Sequence, residues 1–301
     1  MPGGLQLLPD TEPNRNTMKN KPLHWALWML PLLLLYQPTR KSKKTAVSGG
    51  KKDAISQCSI QNFSFQDGET ITYKLYYNWN FVWMSAGEVT FRVKEMKDQY
   101  HLSAHGATYK SYEWFFKVRD RYDTYVDKET LLPKVSIRDV QEGKFTLYDK
   151  VVFDQNQYKA RSLRGDNRRK AKLSEYELGS CMHDILSIVY YTRNVDFQSL
   201  EPGQHLPVRI FMDKEVWPLK VTYKGVDGNK KIKGQGRYNT IVFSPDLIEG
   251  EYFKEGDEML VWVSNDDNRL PLLIESPVSV GSVKAVLKEY DGLRHPLKAK
   301  R

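Results

Sequence analysis

The sequence predicts a mainly β fold: a large curved antiparallel sheet or partly closed β-barrel with one short covering helix. Three observations carry that prediction. Apolar and polar residues alternate with period 2 over most of the chain, Tyr, Phe and Trp number 18, 12 and 7, and a single segment shows helical spacing.

The chain divides into a targeting segment (residues 1–40), a flexible linker (41–58) and one β-rich domain (59–293), which could comprise two similar halves joined near 160–203. Lys19 and Lys21 precede an apolar stretch from Pro22 to Tyr36. That is the length of a signal-peptide core and short for a bilayer span of about 20 residues. Arg40, Lys41, Lys43 and Lys44 follow and oppose export, and no small-x-small cleavage site is present, so an uncleaved membrane anchor is the alternative. Met18, just before the basic pair, is a second candidate start. Cys58 stands too far beyond the apolar run for lipoprotein processing. Net charge is +9, yet residues 1–53 hold nine Lys/Arg against three acidic residues, leaving 37 against 34 in the remainder. That near-neutral domain lacks the footprint of a nucleic-acid binder.

Within the domain, Ile71, Tyr73, Leu75, Tyr77, Trp79, Phe81 and Trp83 fill seven successive odd positions opposite a polar face. This predicts one strand to Trp83, a turn or sharp bend at Ser85–Gly87, and a second strand through Val89, Phe91 and Val93. A first strand of that length spans roughly 40 Å and must bend in a compact protein. Further strands are predicted at Tyr100–Ala104, Phe116–Val126, Lys134–Val140 and Phe145–Phe153. Arg161–Lys172, with six basic residues, reads as an exposed loop. Met182, Ile185, Leu186, Ile188 and Val189 have helical spacing, with Ser180 placed to cap and Asp184 suited to the first turn. Alternation resumes at Leu206–Ile210 and Leu219–Tyr223, followed by Met259–Val263, Leu270–Glu275 and Val278–Tyr290. TYVDKETLLPKV (124–135) and VWVSNDDNRLPLLI (261–274) share one pattern: strand, acidic turn, Leu-Pro, strand. Duplication and convergent hairpin chemistry both account for it.

FQDGETITYKLYYNWNFVWMSAGEVTF, FFKVRDRYDTYVD with LLPKV, and LPLLIESPVSVGSVKAVLKEY together resemble the bacterial family catalogued as domain of unknown function 3108, over about Phe63 to Tyr290. The resemblance implies an exported, mostly β envelope protein and implies no activity. The D-x-x-T-x-x-P hairpin (Asp127, Thr130, Pro133) is similar to those of periplasmic lipoprotein carriers, a likeness of architecture that carries no function.

No nucleophile elbow, Walker loop, dinucleotide-binding glycine pattern or HExxH helix is present, so no catalytic residue, metal or cofactor is assigned. His101 and His105 stand ~13 Å apart if on a strand, too far to share an ion. Asp266, Asp267 and Asn268 offer oxygen ligands for calcium but fit a hairpin turn better. Asp120, Asp123 and Asp127, interleaved with Arg119 and Arg121, read either as cross-strand ion pairs or as acid and base groups of a cleft. Cys58 and Cys181 could pair in an oxidising compartment or stand as two buried thiols; Cys181 and His183 are poorly placed for a nucleophilic pair. The candidate ligand-binding residues are the aromatic clusters, Tyr77, Trp79, Phe81 and Trp83 with Tyr112 and Trp114, which would form the walls of an apolar cavity unless they simply fill the core. The resulting expectation is a non-enzymatic protein of the periplasm or outer membrane that binds a hydrophobic or lipid-like ligand, or an envelope partner. The alternatives are an envelope hydrolase acting on glycan or lipid, and a structural accessory protein.

Overall fold

The computed structural model describes residues 58, 60–79, 82–248, 256–278 and 281–301. The predicted targeting segment and nearly all of the linker lie outside the described residues. Fifteen strands make one sheet. They are β1 (Thr70–Trp79), β2 (Val82–Glu95), β3 (Gln99–Thr108), β4 (Val118–Asp127), β5 (Pro133–Glu142), β6 (Phe145–Asp154), β7 (Lys159–Gly165) and β8 (Lys172–Glu177), then β9 (Met182–His183), β10 (His205–Met212), β11 (Glu215–Ile232), β12 (Gly236–Pro245), β13 (Leu260–Ser264), β14 (Pro271–Pro277) and β15 (Ser282–Asp291). One α-helix, α1 (Ile185–Thr192), interrupts the series.

β1 lies at the centre of the sheet. From it the chain meanders outward to β8 at one edge, crosses to the opposite edge at β9, and returns until β15 pairs with the free side of β1. All neighbours are antiparallel except β9 and β10. The sheet curls on itself: Phe153 and Ala160 of β6 and β7 pack with Met182 and Phe211 of β9 and β10, from opposite ends of the strand order. The two edges share no ladder, so the barrel-like sheet is not closed. The inner faces are those the alternation predicted, with Ile71, Tyr73, Leu75 and Tyr77 all buried.

The structure corrects three sequence expectations. The first strand ends at Trp79, which pairs with Val82, so Val82 and Trp83 begin the second strand and are exposed. Apolar alternation runs on through a tight reversal and hides it. Ser85–Gly87 is instead a bulge: Tyr76 faces Ser85, Leu75 faces Gly87, and Ala86 is extra. A Cβ on Gly87 would lie 2.3 Å from the Ala107 carbonyl oxygen, which is why glycine stands there.

Secondly, Arg161–Lys172 is not one loop; β7 and β8 flank a short turn. Its charge misled because Arg164 points inward, where it meets Asp149 and Asp213 at 2.7 Å. Thirdly, α1 starts later than expected. Asp184 is the N-cap, accepting from the Ser187 and Leu186 N–H groups while Ser187 Oγ accepts from the Asp184 N–H. Met182 belongs to β9, and Ser180 accepts from Arg209 instead of capping.

The helix is held inside the curve by polar ties at both ends. Thr124 of β4 donates to the Asp184 carboxylate at 2.5 Å. At the C-cap, Arg193 is 3% exposed and its guanidinium grips both oxygens of Glu69, at 2.6 and 2.8 Å. It also donates to the Ser64 and Asn268 carbonyls and lies against the rings of Phe65 and Tyr190. Burial of such a pair is tolerable because nearly every donor is used; one partner alone is not. Glu69→Gln should therefore destabilise the fold by ~3–5 kcal/mol. Urea unfolding would measure this, and a loss below about 1 kcal/mol would show that the pair is dispensable.

Candidate functional site: an aliphatic cavity beside the helix

The inward sides of β10–β14 are aliphatic. Val208 and Ile210, Leu219 and Val221, and Val261 and Val263 recur at every second position. Against them α1 turns Ile185, Ile188 and Val189. The two surfaces do not meet completely. They leave a partly open cavity of about 150 Å³, bounded further by Phe197, Phe243, Met259 and Ile274. A smaller space of about 30 Å³ adjoins it and shares Val189, Arg193, Pro271 and Ile274.

Four charged side chains touch the larger cavity. Lys220 and Asp246 are exposed, and their segments are tied by the Lys220 N–H to the Asp246 carboxylate, 3.0 Å. Arg193 is consumed by Glu69. Arg269 is 8% exposed and donates Nη1 to the Val195 carbonyl at 2.7 Å.

The residues singled out from sequence lie elsewhere. Tyr77 is packed in the core, Trp83 is half-exposed with Lys284 Nζ 4.4 Å from its ring centre, and Tyr112 meets Phe115 edge-to-face. Trp114 is 84% exposed. The Trp79 side chain and Phe81 fall outside the described residues. None of the described four lines the cavity, whose walls are mainly aliphatic, with Phe197 and Phe243 as their aromatic members. An aromatic run marks a well-buried strand; it does not mark where two packed faces fail to touch.

The other candidates also resolve. Cys58 and Cys181 form a disulfide, with Cα atoms 5.4 Å apart, and so Cys181 offers no thiolate to His183. Burial holds the His183 imidazole down to about 3, uncharged beside Ser187. Asp266 caps its own turn, accepting from Ser264 Oγ and the Asn268 N–H, and also from the Ala299 N–H. On β4 the carboxylates divide between the two faces. Asp123 pairs with Arg121 and His101, and Asp127 with Lys134, whereas Asp120 points inward beside Tyr122. Strand pleating therefore puts Asp120 on the face opposite Asp123 and Asp127.

Asp120 instead lies against Glu142 of β5, and neither has a basic partner among the described residues. Burial pushes Asp120 up to about 7 and, with the Asp120 charge beside it, raises Glu142 well above the carboxylate range. Sequence patterning could have flagged only that Asp120 shares a face with Tyr122 and Val126.

A profile of the family described as protein of unknown function, DUF3108, matches residues 72–288. The chain belongs to that family. Among solved structures, this DUF3108 protein is similar to a β-barrel-like protein of domain of unknown function DUF1849 from Brucella abortus, at TM-score 0.50 and 10% identity, covering 77% of this chain and 98% of that one. That likeness concerns the fold. Also similar is a protein provisionally described as a lipoprotein from Parabacteroides distasonis, at TM-score 0.30 and 12% identity, covering 77% and 100%. No curated protein matches the DUF3108 chain in sequence.

The carboxyl pair sets a pH dependence. Both groups hold protons more tightly folded than unfolded, so unfolding releases protons and stability falls as pH rises from near 4 toward 7, and stays low above that. Glu142→Gln should flatten this slope and gain on the order of 2 kcal/mol over the parent at pH 8 relative to pH 5. Urea melts at the two pH values decide it; parallel profiles would show that the pair is not the source.

Proposed function

We propose that this protein is an exported, non-enzymatic envelope protein that binds an apolar, lipid-like group in the cavity between α1 and β10–β14. The observation that carries the reading is a partly open space of about 150 Å³ beside the helix, lined mostly by aliphatic side chains. Apolar walls left without packing partners forfeit dispersion contacts, so such a space favours an apolar occupant. Its size suits a benzene-sized group or the end of one alkyl chain. The disulfide supports an oxidising compartment, and the apolar stretch Pro22–Tyr36 behind Lys19 and Lys21 supports export. Among the described residues no helix is long and apolar enough to cross a membrane. The accessory-protein alternative has one supporting feature, the exposed Trp114.

Toluene followed by methyl NMR tests the cavity. It should shift the methyl resonances of Ile188, Val208, Val261 and Ile274, and Leu219→Trp should weaken binding by at least about tenfold with little change in melting temperature. Unmoved methyl resonances in the parent protein would sink the reading. Export has its own test: fractionation should place the protein outside the cytoplasm with Cys58 and Cys181 bonded on non-reducing gels. Full-length, reduced protein in the cytosol would be the contrary result.

A further inference from the structure

Two arginines are buried among the described residues, and they differ in one respect. Arg193 spends its fork on Glu69 and two carbonyls. Among the described residues Arg269, on the wall of the aliphatic cavity, has no carboxylate within ion-pair distance, one side-chain hydrogen bond, to the Val195 carbonyl, and the Phe63 ring against its guanidinium at 5.9 Å. A guanidinium has five N–H donors, and no Arg269 nitrogen is both fully buried and without a hydrogen bond, so the donors not spent on Val195 face accessible space. Asp196, Asp266 and Asp267 lie near enough to favour its charge. None replaces an acceptor: Asp196 and Asp267 are exposed, and Asp266 is occupied by its own turn and the Ala299 N–H.

The turn itself does not ask for a charge. In the sister hairpin the residue before Leu-Pro is Leu131, whose φ is 54°, close to the 48° of Arg269. Leu131 is fully buried. The shared geometry therefore fixes a left-handed backbone at both positions and leaves the side chain open. At Arg269 the chain carries a planar bidentate donor where an apolar residue serves in the equivalent hairpin.

We infer that Arg269 is the head-group site of this cavity, and that the ligand is an anionic amphiphile whose carboxylate or phosphate meets the guanidinium while its alkyl portion occupies the aliphatic space. This rests on the cavity reading above and narrows its ligand class. Arg suits either anion, because its fork matches two oxygens of each. Lys220, also at the cavity, is exposed, and its backbone N–H is bonded to Asp246, so it contributes little selectivity.

The test compares hexanoate, hexyl phosphate and hexan-1-ol, titrated by NMR into the disulfide-intact protein and into Arg269→Gln and Lys220→Gln. In the parent, at least one anion should bind about tenfold tighter than the alcohol, and the two anions separate carboxylate from phosphate recognition. Arg269→Gln should bring the ratio near one with hexanol binding unchanged, and Lys220→Gln should leave it intact. If Arg269→Gln does not fold, the Arg269 Nε–H resonance of the parent decides, shifting with the preferred anion and not with hexanol. Equal binding of alcohol and anions would overturn the head-group site while leaving the cavity reading standing. A preference that survives Arg269→Gln, or vanishes in Lys220→Gln, would also overturn it. Binding of none of the three would overturn both.

Discussion

The pairing of Arg193 with Glu69 is the constraint on which the interior depends. One guanidinium joins the segment leading into β1, the end of α1 and the β13–β14 turn, through Glu69, Ser64 and Asn268. Its partners lie 75 to 129 residues from Arg193 in sequence. In a sheet whose chain runs outward from its centre and returns from the far edge, the two-residue ladder of β9 on β10 fixes where the crossover helix starts but not where it ends. A charge buried with nearly all its donors used fixes that end, because any other position strands it without acceptors. The disulfide acts on the same crossover, holding Cys181 just ahead of the helix to residue 58 at the start of the described domain.

The curl of the sheet has a second polar anchor. Tyr122, Arg138, Asp149 and Arg164 stand directly opposite one another on adjacent strands, forming an inward row across β4 to β7. Asp213, from the β10–β11 turn, reaches across to both Arg138 and Arg164 at 2.7 Å. Two arginines and two aspartates thus balance in charge, and Ser162 adds a hydrogen bond to Asp149. The interior divides accordingly. The β4–β7 side is polar and interlocked, and the β10–β14 side is aliphatic and incompletely filled. Directional polar bonds close the first side, while α1 spans the second only as far as its eight residues allow.

Much of the strand pattern was legible because burial on one face of a strand leaves a period of two. Ile71 to Tyr77, Val208 and Ile210, and Val261 and Val263 all obey it. Failures came where charge and burial coincide or where alternation runs through a turn. Arg164 looked like surface because its partners, Asp149 and Asp213, come from other strands. Val82 and Trp83 looked like a continuing strand because alternation has no term for chain direction. Helical spacing located α1 but not its first residue, which Asp184 sets by capping in competition with Ser180.

The sequence by itself determined the alternating strands, the single helix, the two like hairpins around Leu131 and Arg269, and the absence of familiar catalytic motifs. These are local properties, carried by spacing and turn chemistry. Which faces meet was decided by tertiary structure alone: the cavity, Arg193 gripped by Glu69 against Arg269 on the cavity wall, and Asp120 against Glu142. Each depends on side chains brought together from distant strands by the curl of the sheet. Local periodicity says which way a side chain faces, but it holds no information about how much space lies in front of it or what charge stands across that space.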